Sequence, residues 1–311
     1  MPVPRYPHFP RWTWAHRSTA LAFLLALTLG SELWWPYLRG SLSSTRLFGI
    51  VPFADPLSAL EQMLAARRPS FHLALGLGLV TAVYLLLGRL FCGWLCPFGL
   101  VLELLHAGRE RLARVLWKLT KRRLPSYPAP TWPKYFLLLL FLLTSLQVAL
   151  PVFGMVSPIQ WMLWALTFRG DFLLGGLFIA VMLAILVLEF LVPRVFCRSL
   201  CPIGALYALL GSWSPLRIRI HPKEAGRRLC QQCSIHCPMG IDVMKGHVLA
   251  GHSSVSDPEC TRCGTCLDVC RGDGVLSLSF RDHPPEDPTD LSEECAACPQ
   301  EGAACESRYE F

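Results

Sequence analysis

Apolar residues along this chain fill long blocks as far as residue 210 and thin out beyond it. Four blocks, residues 18–38, 71–91, 135–153 and 172–192, meet the roughly 20 apolar residues that a helix needs to cross a bilayer. Trp12, Trp14, Trp34, Trp35, Tyr37, Trp132 and Tyr135 mark their ends, where a ring can sit half in lipid and half in water. The proline-containing loops at 49–57 and 154–160 are each followed by an amphipathic stretch, 57–66 and 159–167, which predicts a short capping helix. Residues 98–124 predict a basic amphipathic helix lying along a surface.

The blocks repeat. Pro56 corresponds to Pro158 at an offset of 102 residues, and Cys92 to Cys197 at 105. Each half reads span, proline loop, span, then Cys-x-x-x-Cys-Pro-x-Gly, so two spans per half make the repeats parallel about an axis along the membrane normal. Both cysteine motifs then fall on one side.

Charge orients this arrangement. Of the net +7, much comes from residues 109–134, which hold Arg109, Arg111, Arg114, Lys118, Lys121, Arg122, Arg123 and Lys134. A basic run between two apolar spans reads as a cytoplasmic loop and gives no nucleic-acid signal. Arg5, Arg11 and Arg17 precede the first span and place the N-terminus inside; four crossings return the last third there too. The expected arrangement is a multi-pass membrane protein with both termini cytoplasmic and no cleavable leader.

Fourteen cysteines at short intervals in that reducing compartment point to metal ligands, with disulfides the weaker reading. The run Cys260-Thr-Arg-Cys263-Gly-Thr-Cys266-Leu-Asp-Val-Cys270 has the spacing of a bacterial [4Fe–4S] ferredoxin. Zinc competes poorly, since structural zinc takes separated pairs of ligands. Upstream, Cys230-Gln-Gln-Cys233-Ser-Ile-His-Cys237-Pro238 matches the last three positions of the same pattern, with Arg227 where the first cysteine would stand. By the crossover of two-cluster ferredoxins, Cys260, Cys263, Cys266 and Cys237 complete one cube. Cys230, Cys233 and Cys270 leave a second one ligand short. Either a tail cysteine fills the gap, Cys298 or Cys295 before Cys305, or the cluster keeps three cysteines with a labile iron or a non-cysteine ligand.

Cys92-Gly-Trp-Leu-Cys96-Pro and Cys197-Arg-Ser-Leu-Cys201-Pro form the third set. A spacing of four puts both thiols of a motif on one helical face, and the proline turns the chain. One pair cannot hold a cube, but the repeat axis brings two pairs together. A shared third cluster at the inner membrane face is therefore expected; buried packing thiols are the bland alternative.

The expected fold is thus membrane all-α, with four transmembrane helices as two parallel repeats, followed by a small ferredoxin-like α+β iron–sulfur domain. Residues 1–17 form the cytoplasmic N-terminus, 18–212 the membrane domain (18–125 and 133–212 its repeats), 213–285 the ferredoxin-like domain and 286–311 a cysteine-containing tail.

The paired Cys-x-x-x-Cys-Pro motifs followed by a ferredoxin run resemble the NapH/MauN-type membrane ferredoxins, the membrane component of quinol dehydrogenases. They are similar, more distantly, to NosR and the CcoG/FixG-type polyferredoxins. The likeness spans about residues 18–280 and departs from the pattern at Arg227 and in the 295–305 tail. Neither the C-terminal β-domain of the CcoG type nor the large N-terminal periplasmic domain of NosR is expected within these residues. The resemblance implies a bacterial inner-membrane protein and electron transfer between the quinol pool, or a cytoplasmic donor, and ferredoxin-type or cytochrome c-type partner subunits. It implies cluster ligands at Cys92, Cys96, Cys197, Cys201 and the seven cysteines from Cys230 to Cys270. An assembly factor reducing a metal or thiol, and a redox-sensing regulator, are the rival classes. Whether the chain itself acts as an enzyme stays open.

A quinone pocket has weaker signals. Asp55 lies in the proline loop that follows Trp34 and Trp35, although an Asp-Pro turn explains it as well. Glu32 and Glu189 sit inside spans, where a carboxylate is expensive and often functional. Pairing of Glu189 with Arg194 is the plainer reading. Gly76 and Gly78 let helices approach closely.

Overall fold

A computed structural model describes residues 10–33, 38–41, 44–47, 51–53, 56–66, 71–120, 129–166, 172–221, 231–270 and 275–280. The chain opens with α1 (Arg11–Leu33), then an antiparallel meander of β1 (Leu38–Ser41), β2 (Ser44–Leu47) and β3 (Val51–Phe53). The meander occupies residues that hydropathy assigns to the end of a span and a loop. Next come α2 (Pro56–Ala66), α3 (Phe71–Leu87), the single turn α4 (Leu90–Trp94) and α5 (Pro97–Thr120). The second half repeats the order with α6 (Pro133–Val148), α7 (Val152–Val156), α8 (Pro158–Leu166), α9 (Phe172–Leu191), a π-turn at Phe196–Leu200 and α10 (Pro202–Gly211). The C-terminal part holds β4 (Arg217–Ile220), α11 (Gln232–Ile235), a second π-turn at Met244–Val248, β5 (Ser254–Val255), α12 (Thr265–Val269) and β6 (Leu276–Ser279).

Among the described residues no helix is long and apolar enough to cross a membrane. This corrects the expectation of four transmembrane helices, and with it the multi-pass inner-membrane location. The reason lies in where each apolar run stops. Helices α3 and α6 have 17 and 16 residues, about 25 and 24 Å of rise against a hydrocarbon core of about 30 Å. In α1 the first two turns carry Arg11, His16 and Arg17, and the latter two are bound to Glu103. The apolar run of α9 ends before Glu189, whose carboxylate accepts the backbone N–H groups of Arg194 (2.6 Å) and Phe196 (3.0 Å). Glu189 therefore caps the start of the π-turn that follows α9. The same helices leave Leu75, Leu79 and Val83 on α3, Leu139 and Leu143 on α6, and Ile179 and Leu183 on α9 exposed.

Two hydrophobic cores result. The first gathers Leu57, Val80, Tyr84, Phe98, Leu102, Leu138, Phe153 and Tyr207 from both repeats. Tyr84 stacks on Tyr207 with ring centroids 4.1 Å apart, and Phe98 meets Phe196 edge-on at 4.9 Å, fixing α3 against α10 and α5 against the π-turn. Glu61 of α2 is buried without loss, because it accepts from Ser145 Oγ (3.0 Å) and the Phe153 N–H (3.1 Å) that starts α7. The second core belongs to the C-terminal part. There β4 alternates Ile218 and Ile220 inward with Arg217 and Arg219 outward, pairing with β5 and β6 in the order β5-β4-β6. Ile218, Ile220, Met239, Val243, Val255 and Leu267 close over Cys233, Cys266 and Cys270.

Candidate metal centres

The two Cys-x-x-x-Cys-Pro motifs occupy equivalent turns. After α3 the chain reverses at Gly88 (φ +68°), and after α9 at Arg194 (φ +62°). In the first motif Cys96 N donates to Phe91 O (2.9 Å); in the second Cys201 N donates to Phe196 O (2.8 Å). Both bonds span five residues, a widened π-type turn of the kind that recurs at functional sites. Pro97 and Pro202 then start α5 and α10 at positions where no N–H is needed. Gly99 N donates to Cys96 Sγ and Gly204 N to Cys201 Sγ, each at 3.4 Å. Each sulfur thus sits at a helix N-terminus, which favours negative charge.

All four sulfur-bearing residues, Cys92, Cys96, Cys197 and Cys201, line one cavity of about 60 Å³. That is room for several water-sized atoms, where one water needs roughly 10–15 Å³. Burial, then the neighbouring Cys92 and Cys201, pushes the Cys96 thiol up to about 12. Burial, then Cys201, raises Cys197 likewise. Four thiols that cannot ionise together without a compensating cation are the chemistry of a metal-cluster donor set. Among the described residues no three His, Cys, Asp or Glu close on a point as ligands of a single ion would. A cube presents its irons at separate corners, so cysteines spread around a cavity fit a polynuclear group better than tetrahedral zinc.

The ferredoxin run packs directly beneath this cavity. Thr261 and Cys263 share its lining. Gly93 admits the run, since a Cβ there would stand 2.7 Å from Thr261 O. Trp94 Nε1 donates to Arg262 O (3.1 Å). Arg262 reaches back to Leu87 O (3.2 Å) and Gly211 O (3.1 Å), closing the ends of α3 and α10. Within the run, Cys237 is pushed up to about 12 by burial and by Cys263 and Cys260. Cys266 is raised by burial and by Cys263, Cys260 and Cys237. Cys260 rises to about 11 through burial, against the lowering effect of the Arg262 N–H. Cys233 instead faces Cys270, whose hydrogen bond lowers it. Cys233, Cys266 and Cys270 are buried in the second core, and Cys237 and Cys260 pack against it.

Cys230, Cys295, Cys298 and Cys305 lie outside the described residues, as do Arg227, Trp34, Trp35, Asp55 and the Glu32 side chain of the expected quinone pocket.

Sequence reasoning missed the charged groups that join the parts. Glu259, just before Cys260, accepts from Arg89 Nη1 (2.7 Å) and from Lys134 Nζ, with Tyr135 Oη at 3.4 Å. The two cations respond oppositely. Burial lowers both, but Cys92 and Glu259 more than restore Arg89, whereas the Arg89 charge lowers Lys134 further. Asp268, between Cys266 and Cys270, accepts from Trp12 N (3.1 Å), Thr13 N (2.8 Å) and Thr13 Oγ1 (2.9 Å), capping α1. Glu103 on α5 binds His16 Nε2 (3.0 Å) and Arg17 (2.8 Å). Burial would raise its pKa, but those two partners bring it down to about 2. One signal was available: Arg89 and Arg194 stand three residues before Cys92 and Cys197, so the 105-residue offset extends to them.

The family model described as a 4Fe-4S binding domain matches residues 70–119 and 174–221, one match for each Cys-x-x-x-Cys-Pro turn. The chain is 31% identical over 280 residues to the "Ferredoxin-type protein NapH" of Escherichia coli K12, covering 87% of this chain and 92% of that one. It is 28% identical over 274 residues to the "Methylamine utilization ferredoxin-type protein MauN" of Methylorubrum extorquens, covering 87% and 78%. A "Putative electron transport protein YccM" of Escherichia coli K12 is 26% identical over 289 residues, covering 86% and 76%. No solved structure matches the chain.

Proposed function

The chain belongs to the NapH/MauN-type ferredoxin family, and from that premise we propose that it passes electrons from a quinol or a soluble donor, through three [4Fe–4S] clusters, to a partner redox protein. That it is an iron–sulfur electron-transfer protein carrying [4Fe–4S] clusters follows from the matched family. The number of clusters, their ligands and the donor are the proposal. A [4Fe–4S] cluster exchanges one electron at a potential set by ligand identity, hydrogen bonds to sulfur and burial.

The carrying observation is that Cys92, Cys96, Cys197 and Cys201 line one cavity whose floor includes Cys263 of the ferredoxin run. In this reading those four hold one cluster, Cys237, Cys260, Cys263 and Cys266 a second, and Cys230, Cys233 and Cys270 a third. The fourth ligand of the third is then a tail cysteine, with Cys298 or Cys295 the candidates. The residues around the sulfurs have their own tasks. Gly99 and Gly204 donate N–H groups to Cys96 and Cys201, Trp94 ties the upper turn to the run beneath it, and the two apolar cores exclude water.

Iron and acid-labile sulfide of anaerobically purified full-length chain test the count. About twelve irons per chain are expected from three cubes, and a Cys92→Ala/Cys197→Ala double variant should lose about four. An unchanged iron content in that variant refutes the shared site. EPR after addition of a quinol analogue tests the donor. Clusters that a soluble ferredoxin reduces and a quinol analogue never does leave only the protein donor.

A further inference from the structure

Arg89 is the most deeply buried cation beside the cavity, at 1% exposure, and Lys134 (0%) and Glu259 (7%) surround it. Two cations share a single carboxylate here. A buried guanidinium stays protonated, and a buried charge without a full counter-charge costs several kcal/mol. Glu259 is already claimed by Lys134, so the Arg89 charge needs further anionic neighbours. Cys92 and Cys197, one from each repeat, line the same cavity as Arg89, and as thiolates bound to iron they would supply that negative charge.

The fold builds a seat for this side chain. A Cβ at Gly204 would stand 3.1 Å from Arg89 Nη2, and one at Gly211 would stand 3.5 Å from Arg89 Cγ. Arg89 thus leaves its own repeat, crosses two glycines of α10 in the other repeat, and lines the cavity. Among the described residues its buried Nε has no hydrogen-bond partner, which marks a side chain positioned for its charge and its reach rather than for a complete set of bonds.

We propose that Arg89 is a positioning residue that sets the reduction potential of the Cys92/Cys96/Cys197/Cys201 site, with Glu259 as the counter-charge that tempers it. The proposal rests on the four-cysteine reading given above. Reduction adds one electron and one negative charge to that site; no bond forms and no proton moves. The fixed positive charge of Arg89 favours the reduced form, and the negative charge of Glu259 opposes it. Because Glu259 is fused to Cys260, the same pair electrically links the cavity to the run below.

The test is an EPR-monitored redox titration of the full-length, cluster-loaded chain. Arg89→Gln should lower the midpoint of the four-cysteine cluster by a factor of ten or more in the reduced-to-oxidised ratio, 59 mV for one electron. Glu259→Gln should raise it, the Arg89→Gln/Glu259→Gln double variant should return near the wild-type value, and Arg89→Lys should stay within a factor of three. If Arg89→Gln fails to accumulate with its iron, the sign of the Glu259→Gln shift decides alone. A Cys96→Ala/Cys201→Ala control should lose the responding signal. If the control keeps it, the four-cysteine reading falls and this inference with it. If the control loses it while the charge variants shift the midpoint in one common direction or not at all, only the role of Arg89 is overturned.

Discussion

Asp268 joins the last cysteine run to the first helix, and removing it should free the start of α1. The carboxylate is buried and accepts two backbone N–H groups and one hydroxyl from Trp12 and Thr13. A helix N-cap is worth about 1 kcal/mol, and a hydrogen bond to a charged group about 1.5–3 kcal/mol. The three bonds are not additive, so Asp268→Ala should cost about 3 kcal/mol at this terminus. Native-state hydrogen exchange reads this locally. With 1.4 kcal/mol per factor of ten, the Trp12 and Thr13 amides should exchange roughly a hundredfold faster, while α10 stays unchanged. Thr13→Val leaves the cysteine run intact and removes only the hydroxyl donor; about 1 kcal/mol, or roughly fivefold, is expected. Exchange within threefold of wild type in Asp268→Ala, at unchanged iron content, would refute the capping argument.

Glu103 and Gly264 give two further predictions. The folded-state pKa of Glu103 is depressed to about 2 from an ordinary 4.5, so its contribution is complete above pH 4.5 and is lost as pH falls towards 2. At 17% exposure it amounts to at most about 3 kcal/mol. Denaturation of wild type and Glu103→Gln across that range should show a difference that is constant near neutrality and shrinks in acid. Cluster loss common to both cancels, and a pH-independent difference would refute the ion pair's role. Gly264 has φ +79°, and a Cβ there would lie 2.8 Å from Trp12. Gly264→Ala should therefore destabilise by about 1–3 kcal/mol. Gly246→Ala, with nothing within 4 Å, should stay within about 0.5 kcal/mol. Parallel melting curves of the two variants compare them directly.

What the sequence carried depended on how local each feature is. That Cys92, Cys96, Cys197 and Cys201 come to line one cavity was legible because a 105-residue offset ties the two pairs across the repeat. The capping helices after the proline loops, α2 and α8, were legible from amphipathic periodicity. Hydropathy misjudged the four long helices. A window average passes over a single Glu189 near the end of a run, and over His16 and Arg17, which Glu103 of α5 binds. It also hid the β1–β3 meander, where Leu38 read as the end of a span and Val51 and Phe53 as part of a proline loop. The Arg89–Glu259, Lys134–Glu259 and Asp268–Thr13 contacts join residues 170, 125 and 255 positions apart. No periodicity or spacing announces partners at that distance.

The capping of α1 by Asp268 also orders the making of the molecule. The ribosome completes Thr13 about 255 residues before the group that satisfies its amide. At about 5–20 residues per second, this leaves the helix start open for roughly 13 to 50 seconds during synthesis. The Trp12 ring waits as long for Gly264 to arrive beneath it. A nascent chain cut short before residue 260 thus lacks the cysteine run and the finished beginning of its first helix together, so truncation removes two ends of the protein at once.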